Sequence, residues 1–135
     1  IKELKNPVKL RGFVDRIDTR NGAVRIIDYK TGIVRPNEVV IKDMDSCLDA
    51  TNTKSMQLMC YALMYFKNFP KCVNVEAGLI SLRDLRKGIM KFGVRQTGKE
   101  KDHLIDKKKI VEFEKKLKKL IIEIMNPKIN FKKAI

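Results

Sequence analysis

Two short runs of alternating apolar and polar residues, 8–17 and 23–29, flank the dipeptide Asn21-Gly22. A two-residue type I′ turn needs φ > 0 at both central positions, which Asn and Gly tolerate best, so the pattern predicts a β-hairpin. The turn sets the register: Arg20 opposite Ala23, Ile17 opposite Ile26, Asp15 opposite Asp28. A four-residue loop from Arg20 to Ala23 keeps this register, and a three-residue loop shifts it. Side chains alternate along a strand and opposed residues share a face, so one face carries Asp15, Asp28 and Lys30. Ile26 and Ile27 beside Asp28 predict burial on both faces, as in a central strand.

The rest of the chain reads as a mixed α/β pattern. Residues 1–4 suggest a strand, with Lys5-Asn6-Pro7 as a turn. Residues 32–49 are loop-rich, broken at Pro36, with Asp43, Asp45 and Asp49 near the end. A helix is expected from Thr53 or Ser55, either a plausible N-cap, through Phe66; it is apolar nearly all round and therefore buried. Gln57 and Tyr61, four apart, share one of its faces, and a buried glutamine needs hydrogen-bond partners. Residues 73–82 predict a strand with Val73, Val75, Ala77 and Leu79 on one face, and 89–94 a partner strand after a turn at 83–88. A polar loop, 96–102, leads to a helix over 106–125. Its core face is Ile110, Phe113, Leu117, Leu120, Ile121 and Ile124, and Lys107, Lys108, Lys109, Lys115, Lys116, Lys118 and Lys119 supply much of the remainder. Such a run reads either as a solvated face or as a surface for a nucleic-acid backbone. The fold class is α/β: a mixed sheet of about five strands flanked by two helices, in one domain over residues 1–135.

Composition narrows the picture. The chain has 135 residues, 44% of them hydrophobic, enough for its own core. Its net charge of +14, from 30 Lys+Arg against 16 Asp+Glu, implies an acidic partner, with nucleic acid the natural candidate. A membrane fits less well, because the basic residues are spread along the chain and no apolar run reaches the roughly 18–20 residues of a membrane span. The first residue is Ile and no signal-peptide pattern follows, as in a piece excised from a larger protein. Cys47, Cys60 and Cys72 form no Cys-x-x-Cys pair and read as reduced thiols in a cytoplasmic protein, Cys60 being a small core residue. His103, the single histidine, reads as a solvated surface group, and the methionines as core filler.

The acidic face of the hairpin needs a reason, because like charges directly opposite on a sheet are destabilising. A divalent cation removes the penalty, and hard cations such as Mg²⁺ take one or two carboxylates together with water and substrate phosphate. A lysine beside such a cation can position an attacking water or steady a phosphate oxygen. The plainer reading is a solvated strand face with a Lys–Asp pair. Lys30-Thr31-Gly32 also spells a box found in serine β-lactamases, but Ser46, Ser55 and Ser81 all lack the Ser-x-x-Lys partner motif.

The strings Gly12-x-x-Asp15-Arg16-x-Asp18, Ile27-Asp28-Tyr29-Lys30-Thr31-Gly32 and Gln57-x-x-x-Tyr61 together resemble the RecB-like branch of the PD-(D/E)XK nuclease superfamily, which includes the nuclease domains of RecB and AddB helicase-nucleases. The resemblance runs from about residue 8 to 125 and implies a restriction-endonuclease-like core. It implies that Asp15 and Asp28 bind Mg²⁺ or Mn²⁺, that the Tyr29 backbone carbonyl adds a ligand, that Lys30 assists the water, and that Gln57 and Tyr61 support the site. Arg16, Lys54 and the basic helix are weaker candidates for contact with DNA, and residues 32–49 for lining its path. Relatives often carry a helix before the first strand with a histidine or glutamate for the metal, and this sequence has no match to it. Some AddB-like relatives hold an iron–sulfur cluster on flanking cysteines that also have no match here. The implied function is metal-dependent hydrolysis of DNA phosphodiester bonds, as an exonuclease domain working with helicase domains or subunits in recombination and repair. The alternative is a catalytically silent DNA-binding or structural interaction domain of the same fold.

Overall fold

The computed structural model describes residues 1–98 and 100–133. The hairpin forms as its turn chemistry dictates. Strand β1 (Arg16–Arg20) runs antiparallel to β2 (Ala23–Lys30), with Arg20 opposite Ala23 and Ile17 opposite Ile26. Asn21 and Gly22 both have positive φ, 50° and 78°, as a type I′ turn demands. Helix α1 (Thr53–Asn68) then crosses over the sheet and returns the chain as β4 (Asn74–Ser81), parallel to β2. The far edge of β4 is shared by two short strands: β5 (Met90–Lys91) pairs with Gly78 and Leu79, and β8 (Ile105–Asp106) with Asn74 and Val75. The result is a mixed five-stranded sheet in the order β1-β2-β4-β5, with β8 also on β4. A second small sheet joins β3 (Val40–Ile41), β6 (Gly93–Arg95) and β7 (Lys101–Asp102).

The core lies between the sheet and α1. Ile26, Val75, Ala77 and Leu79 share one sheet face and meet Leu58, Met59, Ala62, Leu63 and Phe66 of the helix in one buried cluster. Fully burying a side chain of this size contributes about 1.5–3 kcal/mol. Ile27 is buried on the opposite face, so β2 is covered on both sides as its sequence predicts. Helix α2 (Lys107–Ile124) packs on α1 through Ile110 and Phe113. Three lysines in its first turn oppose the helix dipole. Two carboxylates offset them: Asp106 caps the Lys109 N–H at 2.9 Å, and Asp102 takes Lys109 Nζ at 2.6 Å. None of the described helices is long and apolar enough to cross a membrane.

Several expected elements differ. Residues 1–4 form turns and bends rather than a strand, and the first arm of the hairpin starts at Arg16 rather than at residue 8. Residues 8–12 would have to pair with 31–35, where the chain has already left the sheet toward Pro36. Gly12 lies instead against α1, close enough that a Cβ there would meet Met64 Cε at 3.0 Å and a Tyr61 ring carbon at 3.1 Å. Asn52 is the N-cap position of α1, without a side-chain cap, and Thr53 is its first residue. Ser55 is buried one turn along, its hydroxyl directed at the Glu38 carbonyl. The loop-rich stretch holds short 3₁₀ turns and β3. The strand expected over 89–94 divides at Phe92, whose N–H bonds the Ala77 carbonyl at 2.8 Å before Gly93 turns into the second sheet. His103 is no solvated loop group: it is half-buried, its Nδ1 lies 2.8 Å from the Phe92 carbonyl, and it occupies the space a Cβ on Gly93 would need. Val73 is exposed because β4 begins only at Asn74, and Ile124, the last residue of α2, is half-exposed.

Candidate active site

The site is built where β2 ends. Asp28 and Lys30 alternate with Ile27 and Tyr29, so both side chains point to the face on which α1 packs. On α1, Gln57 and Tyr61 stand one turn apart and face them. The four side chains close a ring. Lys30 Nζ donates to Gln57 Oε1 at 2.8 Å, Gln57 Nε2 donates to the Tyr61 hydroxyl at 2.8 Å, and that hydroxyl lies 3.4 Å from Asp28 Oδ1. The circuit closes through the 2.7 Å ion pair between Lys30 Nζ and Asp28 Oδ2.

Asp28 is only 5% exposed. A buried carboxylate requires pairing and hydrogen bonds. Its Oδ1 has the tyrosine, and its Oδ2 is paired with the Lys30 ammonium at 2.7 Å. An ionised carboxylate has about four lone-pair sites, more than the lysine and the tyrosine fill.

Asp15 sits in a bend one residue before β1, next to the last observed pair, Arg16 and Ile27. Its Oδ2 accepts the Tyr29 N–H at 2.8 Å, which ties the carboxylate to the backbone beside Asp28. Asp15 itself is exposed. Two carboxylates, one buried and one open to solvent, match the donor set of a hard divalent cation that keeps water and phosphate in its remaining positions. Among the described residues no group of three or more His, Cys, Asp or Glu side chains gathers there.

Of the expected site residues, the structure brings Asp28, Lys30, Gln57 and Tyr61 together, with Asp15 bonded to the backbone at Tyr29. Arg16 is elsewhere. It pairs with Ile27 and so lies on the opposite face, 2.6 Å from Asp18, which also takes a bidentate grip from Arg25 at 2.6 and 2.7 Å. The Tyr29 hydroxyl, then Asp18, hold the Arg16 guanidinium above its ordinary value. Lys54, one turn before Gln57 on α1, makes a 3.4 Å ion pair with Glu38. The bond from the Tyr29 N–H to Asp15 is the feature that alternation does not reveal, because alternation assigns faces and not side-chain-to-backbone contacts at a strand end.

The model of the PD-(D/E)XK nuclease superfamily matches residues 2–134 of this sequence. The chain belongs to that superfamily. No curated protein and no solved structure matches it. Superfamily members are typically nucleases that use divalent metals, and the mixed five-stranded sheet with its two helices is consistent with their restriction-endonuclease-like fold. In this superfamily member the aspartate and lysine of the Asp-Tyr-Lys string fall on the ring that joins β2 to α1.

Proposed function

We propose that this PD-(D/E)XK domain hydrolyses DNA phosphodiester bonds with Mg²⁺ or Mn²⁺ held by Asp15, Asp28 and the Tyr29 carbonyl. The observation that carries this reading is the buried Asp28 carboxylate, paired at 2.7 Å with a lysine that Gln57 anchors and followed by the Tyr29 amide that holds Asp15. When bound, the cation would supply Lewis-acid polarisation of the phosphate and lower the pKa of a water. The chain's own residues do the rest. Asp28, fixed by Tyr61, and Asp15, fixed by the Tyr29 N–H, hold their carboxylates in one place before any ligand arrives. Lys30 is held between Gln57 and Asp28, so its amine orients the attacking water or a phosphate oxygen with little conformational freedom left to lose. Gln57 and Tyr61 touch no substrate in this scheme; they position Lys30 and Asp28. Lys54, on the same face of α1 as Gln57, offers contact to the DNA backbone.

The RecB- and AddB-like pattern supports a narrower assignment: an exonuclease domain acting with helicase domains or subunits in recombination and repair, in the cytoplasm. A second reading is a catalytically silent DNA-binding domain, favoured by the lack of a third metal-ligating side chain among the described residues. Incubating the protein with labelled linear DNA and Mn²⁺, beside Asp28→Ala and Lys30→Ala, separates the two. Cleavage lost in both variants supports the nuclease. A folded protein that binds DNA without cutting it supports the silent domain.

A further inference from the structure

Asp15 is exposed and lies in a bend outside the ladder of the sheet, yet its carboxylate is fixed on the Tyr29 N–H at 2.8 Å. An open carboxylate beyond a strand end keeps one position only if the backbone that carries it is itself held. Here it is held on both sides. Three residues earlier, Gly12 packs against α1, where a Cβ would meet Met64 and Tyr61. One residue later, Arg16 makes the last pair of the hairpin, with Ile27.

The hold at Arg16 is on the back of the sheet. Arg16 pairs with Ile27 and Asp18 with Arg25, so all three charged side chains lie on the face away from α1. Asp18 takes the Arg16 guanidinium at 2.6 Å. It also takes the bidentate fork of Arg25, through Nε at 2.6 Å and Nη2 at 2.7 Å. One carboxylate therefore ties the first residue of β1 to β2. An isolated surface ion pair contributes little, but a bidentate arginine in a three-member network has a defined geometry. Arg25 and Asp18 are also mostly covered, their side chains 15% and 20% exposed. Asp15 and Arg16, neighbours in the chain, thus go separate ways: the carboxylate to the Tyr29 backbone, the guanidinium to Asp18 behind the sheet.

We propose that Arg16, through Asp18 and Arg25, is the positioning residue that sets the Asp15 carboxylate for the cation. It touches neither the cation nor a phosphate there, because it lies on the face away from Asp28 and Lys30. The run from Asp15 to Asp18 is then one device: the first aspartate holds the cation, and the arginine and second aspartate hold the first. The inference rests on the metal site proposed above and assigns the residues that prepare it.

The test is Mn²⁺ affinity without DNA, read by electron paramagnetic resonance of the free ion. Charge and positioning predict opposite signs. Removing a positive charge by itself tightens Mn²⁺ binding, whereas losing a group that orients a metal ligand weakens it by about 10–100-fold. Arg16→Gln and Arg25→Gln should both show that weakening. Arg16→Lys, which still reaches Asp18, should recover most of the affinity. Arg20→Gln, which removes the same charge from the same strand face, should leave it within about twofold. In EDTA, hydrogen exchange of the Tyr29 amide should be about tenfold faster in Arg16→Gln, with the amides of α1 unchanged. Mn²⁺ affinity unchanged or tighter in Arg16→Gln, or a Tyr29 amide as protected as in the wild type, overturns the proposal. The metal-site reading fails on a different result, Mn²⁺ affinity unaffected by Asp28→Ala, so the two failures are distinguishable.

Discussion

The Tyr61 hydroxyl lies 3.4 Å from Asp28 Oδ1, although 33 residues separate the two in sequence. Through that contact helix α1 reaches the buried carboxylate of β2, and through Gln57 it also holds Lys30. If these two helix residues act by positioning, Gln57→Ala and Tyr61→Phe should lower kcat for DNA cleavage by about 10–100-fold, the usual cost of losing a group that orients a metal ligand. KM should stay within about twofold, and far-ultraviolet circular dichroism should be unchanged. A change confined to KM would instead place both residues in DNA binding.

Divalent cation should stabilise the fold. Mg²⁺ or Mn²⁺ at about 100 times its dissociation constant adds about 2.7 kcal/mol to a state that alone binds it. That is an increase in Tm on the order of 10 °C for a domain of this size. Asp28→Asn keeps the side-chain shape and removes the charge, so it should abolish both the Tm increment and cleavage. Melting with and without EDTA checks this directly. An undiminished increment in the variant would move the cation away from Asp28.

Stability should fall in acid through a pair far from the site. Burial tends to raise the Asp102 carboxyl, but hydrogen bonds from Lys109 Nζ and the Leu104 N–H outweigh it and hold the group below the usual carboxylate range. The folded value lies below the unfolded one of about 3.9, so the contribution is complete above that range and is lost as pH falls through the lowered value. Lys109→Ala should reduce stability at pH 7 by about 1–2 kcal/mol and flatten the acid limb of Tm against pH. The difference between wild type and variant isolates this pair, since Asp18, Asp45, Glu38 and Glu114 are also held low and share the common slope.

Gly78 has the least room for a side chain of the chain's glycines. A Cβ there would lie 2.6 Å from Ile89 Cγ2 and 2.9 Å from the Met90 carbonyl oxygen. Because one of these atoms is backbone, Gly78→Ala should push β5 away from β4 and cost about 1–3 kcal/mol or more. Urea unfolding should show a lower midpoint with an unchanged slope.

The hairpin was legible because its information is local. Asn21-Gly22 sets the turn, and the turn sets the register from Arg20 opposite Ala23 to Arg16 opposite Ile27. Alternation then puts Lys30 on the face of Asp28, and the four-residue spacing of Gln57 and Tyr61 puts both on one helix face. The length of the first arm was not legible, because a strand ends where its partner leaves, and the departure of residues 31–35 from the sheet is not written in residues 8–12. The division at Phe92 and the burial of His103 were hidden for a similar reason: each depends on the other and on Gly93, across a gap in sequence.

The sequence by itself determined the hairpin, its register, the two helices and the residue types at the candidate site, since these follow from backbone preferences and periodicities of 2 and 3.6 residues. Tertiary structure alone decided that Asp28 is buried against Lys30 and Tyr61, that Arg16 turns away to Asp18, and that Gly12 and Val14 line a groove beside Tyr61. Periodicity assigns each side chain a face. Distance, burial and partnership are set only when the faces of remote segments meet.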